Sequence, residues 1–293
     1  MEMIKKRKLF YFISLSLSVL SILSIGIFGL NLGIDFTGGS QLEIEYIGEV
    51  PGFDAIEKAL DLDEIVLQKS SDNVLILKTK EITEVEHQEI VTVLRSLGDI
   101  KEGSESFQSI GPVIGQELKS KTKLVIILSL LCILLYIAYS FRRISKPVKS
   151  YVYGLTSLIA LFHDVLIPLG VFAVLGKFYG VEITIPIITA FLTVFGYSIN
   201  DSVVVFDRVR ENLVKLSTPD FEETIQESLK QTITRSLNTS LTTLIALLAI
   251  FLFGGATLRF FSLALILGIG LGTYSSLFLA TPLLVTYYKL RRR

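Results

Sequence analysis

Asp201 sits in residues 195–211, FGYSINDSVVVFDRVRE, a carboxylate inside a stretch that is otherwise apolar enough to cross a bilayer. A charge in hydrocarbon costs at least about 2.5–3.5 kcal/mol, so an acid there is expected to exchange a proton or pair with a cation. Tyr197, Ser198, Asn200 and Ser202 surround it with polar groups that lipid-facing helices rarely carry. A second acid, Asp164, follows His163 about half-way along another apolar run. Two roles are open for it: carrying a proton or hydrogen bond, and making a structural helix-to-helix contact.

The third charge is Arg235, followed by Asn238, Thr239, Thr242 and Thr243 at three- and four-residue spacings, a polar stripe on one helix face. From Glu182, near one membrane boundary, Asp201 is roughly 28 Å away along a helix. From Phe253, at the same boundary, Arg235 is roughly 27 Å away. The two therefore reach nearly one depth, where an ion pair would lower both desolvation costs. The other reading makes both interfacial residues wetted by headgroups. Both readings stand at this point.

Other chemistries lack their residues. Two histidines, His87 and His163, and one cysteine, Cys132, supply no metal-ligand set and no intramolecular disulfide. No nucleophile–base–metal constellation is present, so neither an enzyme nor a cofactor protein is expected. Gly33, Asp35, Gly38 and Gly39 lie in GIDFTGGS, where adjacent glycines suit a tight exit from a membrane helix into a strand. A phosphate cradle is disfavoured, because no Lys follows and no helix is expected to begin there.

The elements that must position these groups are membrane helices. The chain of 293 residues is 51% hydrophobic and 19% charged, with a mean hydropathy of +0.60, beyond the range of an ordinary soluble protein. Six runs, residues 9–30, 124–141, 152–175, 183–206, 238–253 and 260–288, are long enough to span. The first is expected to be an uncleaved anchor, since it is too long for a signal peptide and lacks a cleavage site.

Charge is segregated. Residues 31–120 hold 18 acids and 7 bases, a net of −11, and the remainder carries +11. Lys5, Lys6, Arg7, Lys8, Arg142, Arg143, Lys146, Lys149, Arg208, Arg210, Lys215, Lys230, Arg235, Lys289 and Arg291–Arg293 fall on one side. The positive-inside rule makes that side cytoplasmic, puts both termini there, and exports residues 31–120.

The exported segment reads as a folded domain. Residues 40–47, 65–68, 74–80 and 104–110 pattern as strands, 53–60 and 83–97 as helices. Thr83 and Glu86 form a capping-box pair. The order βαββαβ predicts a ferredoxin-like sandwich. Residues 207–235 form a charged cytoplasmic connection, with a second helix expected to open at Thr218-Pro219-Asp220. Gly268, Gly270 and Gly272 thin one face of the last run for close packing.

GIDFTGGS, SIGPVIGQEL (109–118), FHDV (162–165), GYSINDSVVVFDRVRE (196–211) and SLKQTITRSLNTSLTTL (228–244) together resemble the SecD/SecF family of protein-export membrane proteins. The resemblance implies a resistance–nodulation–division fold: six transmembrane helices with one exported α+β domain between the first two. It implies a SecD partner, association with the SecY channel complex, contact with a translocating polypeptide, and use of the proton-motive force in the cytoplasmic membrane. Asp201 and Arg235 match family positions implicated in proton movement. Membrane lipid surrounds the helices, and no nucleic-acid partner is expected. A small-molecule or lipid exporter of the same superfamily is the alternative function.

Overall fold

The computed structural model describes residues 3–62, 64–141, 147–215 and 220–292. Arg142, Arg143, Lys146, Thr218, Pro219 and Arg293, used above for topology or a helix start, lie outside the described residues. The chain runs α1 (Arg7–Phe28), a helical turn α2 (Ile34–Thr37), β1 (Gly39–Glu45), α3 (Phe53–Leu60), β2 (Val66–Ser71), β3 (Val74–Thr79), α4 (Glu84–Leu97) and β4 (Ser106–Ile110). It continues through α5 (Pro112–Ser140), α6 (Ser150–Tyr179), α7 (Ile185–Lys215), α8 (Phe221–Phe253), α9 (Ala256–Ser275), a π-helical turn (Ser276–Ala280) and α10 (Thr281–Arg292). Two compact units result: residues 1–30, 125–181 and 185–293, and residues 31–124 with 182–184.

The first unit is the helical bundle. In hydrocarbon every backbone polar group must be satisfied within the segment, so each apolar run becomes a helix. Among the described residues six helices are long and apolar enough to span, the sixth built from α9, the π turn and α10. Helices α6, α7 and α9 form the buried centre, whereas α1, α5 and α8 turn most of their apolar side chains outward. The helices outrun the apolar stretches. α7 continues to Lys215, and α8 is one 33-residue helix capped by the Asp220 carboxylate on the Glu222 N–H at 3.1 Å. The separate second helix expected in the cytoplasmic connection is thus the first part of α8 itself.

One end of this bundle gathers three chain segments. Arg7 meets Glu222 at 2.9 Å, Lys289 pairs with the same carboxylate, and Gln226 accepts the Ile4 N–H at 3.0 Å. The beginning of α1, the beginning of α8 and the end of α10 therefore share one face of the unit.

The second unit is a ferredoxin-like sandwich. Its antiparallel sheet has the order β2-β3-β1-β4, with Leu42 paired to Leu77 and Phe107 across the central strand. Alternation along β1 and β3 sends Leu42, Ile44, Leu75 and Leu77 inward against Ile56, Ile90 and Leu94 of α3 and α4. The Thr83–Glu86 capping box opens α4, with the Thr83 N–H donating to Glu86 at 2.7 Å. Residues 182–184 join this unit: Ile183 bridges Leu32, and Glu182 pairs with Lys78 at 2.6 Å.

The loop before β1 differs from expectation, since a helical turn, α2, does begin there. It ends at Gly38 and Gly39, with φ of 76° and 116°. A Cβ on Gly38 would lie 2.8 Å from Pro112 Cα, and one on Gly39 the same distance from the Thr79 carbonyl oxygen. Positive φ and close backbone approach together require glycine at both.

Candidate functional site

The site begins with where glycine lets helices meet. A Cβ on Gly272 of α9 would stand 3.1 Å from Ser198 Cβ of α7, and one on Gly268 would stand 2.8 Å from Val194 Cγ1. The four-residue spacing on both helices forms one contact stripe. At this close approach the side chains just beyond Gly272 reach across the bundle centre.

Two carboxylates occupy that centre. Asp164 of α6 is fully buried and Asp201 of α7 is 5% exposed. Asp164 Oδ2 accepts hydroxyls from Ser198 of α7 and Ser275 of α9, both at 2.6 Å. Its Oδ1 accepts the Nδ1–H of His163 at 2.9 Å, and the His163 ring stacks on Tyr274. Asp201 Oδ2 accepts the Ser276 hydroxyl at 3.4 Å, and the hydroxyls of Ser236 and Thr273 face the same carboxyl group. Thr273 is bridged to Ser240 of α8 at 2.5 Å. Ser275 and Ser276, adjacent in the chain, link the two carboxyl groups. Among the described residues no Lys or Arg pairs with either.

Backbone irregularities bracket the pair. Pro168, four residues after Asp164, lacks the N–H that would bond the Asp164 carbonyl, which loosens α6 there. Ser276 begins the π turn, and the Thr281 hydroxyl donates to its carbonyl at 2.7 Å. A π turn shifts the helix face, which lets adjacent Ser275 and Ser276 serve different carboxylates; such turns concentrate at functional sites.

Of the two readings left open for Asp201 and Arg235, the ion pair is not formed. Arg235 is exposed, while its neighbour Ser236 is buried and faces Asp201. Successive residues on an α-helix point about 100° apart, so only one of the two can face inward. Packing turns Thr232, Ser236 and Ser240 inward and leaves Arg235, Asn238, Thr239 and Thr242 on the outer face. Asn200 likewise lies on the exposed face of α7, apart from Asp201. Of the polar residues singled out around Asp201, Ser198 donates to the other acid, Asp164. Gly33, Asp35, Gly38 and Gly39 belong to the second unit.

Ser236, Ser275, Ser276 and Thr273 were missed as partners. Their signal was present: Thr232, Ser236 and Ser240 recur every four residues, and Thr273, Ser275 and Ser276 interrupt an apolar run directly after the glycines.

The family model for the protein export membrane protein SecD/SecF, C-terminal, matches residues 89–290, and the SecD/SecF GG motif matches residues 23–46. A curated relative, the protein translocase subunit SecF of Thermobaculum terrenum, is 37% identical, covering 98% of this chain and 93% of its own. That of Rhodothermus marinus is 38% identical, with 96% and 91% covered. Among solved structures, SecDF from Thermus thermophilus, described as a translocon-associated membrane protein, superposes with a TM-score of 0.84 at 31% identity over 99% of this chain. This chain spans 38% of that one. SecDF in a super-membrane-facing form matches with a TM-score of 0.70. The translocase relatives set aside the exporter alternative.

Proposed function

This chain belongs to the SecD/SecF family of protein-export membrane proteins, and from that premise we propose that it is the SecF subunit of a proton-driven auxiliary of protein translocation. It works beside SecD in the cytoplasmic membrane and assists passage through the SecY channel. The observation that carries the mechanism is the buried pair Asp164 and Asp201, held by hydroxyls from two helices and the π turn.

One proton on the pair turns an acceptor oxygen into a donor. The hydroxyls at the protonated carboxyl then reorient, Ser198 and Ser275 at Asp164 or Ser276 at Asp201, so the helices that carry them prefer a different packing. Deprotonation toward the other side restores the first. Moving one charge through the membrane potential supplies about 2.3 kcal/mol per 100 mV, enough to bias a two-state element but not to unfold a substrate in one step. Repeated cycles are therefore needed. α7 continues directly from residues 182–184, which fold with the exported unit, so a shift of α7 is carried along the chain into that unit.

Charge supports the orientation. The basic residues and the shared end of α1, α8 and α10 lie in the cytoplasm, and the acidic unit lies outside. Arg235, on the outward face of α8, acts toward SecD rather than toward Asp201 in the state described.

The test is proton-gradient-dependent translocation in inverted vesicles carrying the complex. Asp201→Asn and Asp164→Asn should each reduce the gradient-dependent component while leaving translocation without a gradient intact. Unchanged gradient dependence in both variants would remove the pair from the mechanism.

A further inference from the structure

Among the described residues, three buried hydroxyls on the α10 side of the acid pair have no hydrogen-bond partner: Tyr153 and Ser157 of α6, and Ser202 of α7. Their residues are at most 1% exposed. Buried polar side chains in native proteins nearly always have a partner, protein or water, so three on one path require an explanation.

Helix register puts them on that path. The Tyr153 ring stands edge-on to Phe206, with centroids 5.3 Å apart, and farther along the same antiparallel pair Ser198 bonds Asp164. Ser157 is one turn from Tyr153 toward Asp164. Ser202 is one turn from both Phe206 and Ser198. Stepping one turn inward from the Tyr153–Phe206 contact therefore brings Ser157 and Ser202 to the same level between α6 and α7. Ser202 adjoins Asp201 in the chain, and the Ser236 hydroxyl faces that carboxyl group from α8.

We infer that water occupies the seam between α6 and α7 at Tyr153, Ser157 and Ser202, forming a proton file that joins the Asp164–Asp201 pair to the cytoplasmic end of the bundle. An internal water needs two to four polar partners, which these hydroxyls and the carboxylates supply. Each oxygen accepts one proton and passes one on. A proton entering at Tyr153 thus leaves an unchanged file and a protonated carboxyl, and release runs the same steps in reverse. The inference rests on the proton-coupled reading and the orientation given above.

The experiment uses the full chain with its SecD partner in inverted vesicles, in a Cys132→Ser background. Ser157→Cys and Ser202→Cys are compared with Ala160→Cys and Val205→Cys, which are as deeply buried on the same two helices. A small charged methanethiosulfonate is added at the cytoplasmic face. Because thiolates form in contact with water, the two file positions should react about tenfold faster than the controls. Equal rates at all four positions overturn the water file. The double variant Ser157→Ala, Ser202→Ala should insert normally and slow gradient-driven proton uptake about tenfold; unchanged uptake overturns its conducting role. Thiol labelling does not depend on coupling, so a dry seam and a failed carboxylate mechanism give different results.

Discussion

Ser275 of α9 donates its hydroxyl to Asp164 of α6 at 2.6 Å, one residue before the π turn whose first member, Ser276, serves Asp201. Two acids on different helices are thus read by consecutive residues of a third. A movement of that segment is felt at both carboxylates.

Hydrogen bonds to a charged group contribute about 1.5–3 kcal/mol each. Ser275→Ala should therefore lower the thermal stability of the purified complex and depress gradient-dependent translocation. Ser198→Ala should do the same through the same oxygen. The double variant should fall short of the sum, because both hydroxyls serve Oδ2; thermal denaturation of the three variants measures this.

Thr281→Val keeps side-chain shape and removes the donor that satisfies the Ser276 carbonyl. The π turn should then relax toward α geometry and carry Ser276 away from Asp201. Insertion and expression should be normal, with coupling reduced. Amide exchange should change at 276–281 and not along α6.

Gly272→Leu places a side chain where even a Cβ would lie 3.1 Å from Ser198 Cβ. Overpacking of this kind costs about 1–3 kcal/mol, and it displaces a ligand of Asp164. Gly270 has nothing within 4 Å of its Cβ position, so Gly270→Ala should be near neutral. A thermal shift comparison of the two checks that contact, not glycine content, sets the cost.

In the second unit, hydrogen bonds from the Thr83 N–H and hydroxyl hold the Glu86 carboxyl below its ordinary range. A group with a lowered folded-state pKa stabilises above its unfolded value and loses that contribution as pH falls through the folded one. Protection at the start of α4 should therefore be full at neutral pH and decline below about pH 4.3. Glu86→Gln should flatten that response, and Thr83→Ala should cost about 1 kcal/mol at neutral pH. Hydrogen exchange across residues 83–88 reads both.

Local signals carried much of this protein. Hydropathy over some twenty residues identified six spans, because a helix in lipid needs only its own apolar length. Alternation and the Thr83–Glu86 pair identified the βαββαβ unit, because strand period and capping are set within a few residues. The acids stood out as charges in apolar runs. Rotation of each helix about its axis was not local. Whether Arg235 or Ser236 of α8 faces inward depends on which surface α7 and α9 offer, and that is settled by Gly268 and Gly272 packing on Val194 and Ser198. Only the assembled bundle decided that Asp201 bonds Ser276 rather than Arg235, since Ser276 lies 75 residues away along the chain and meets it through packing alone.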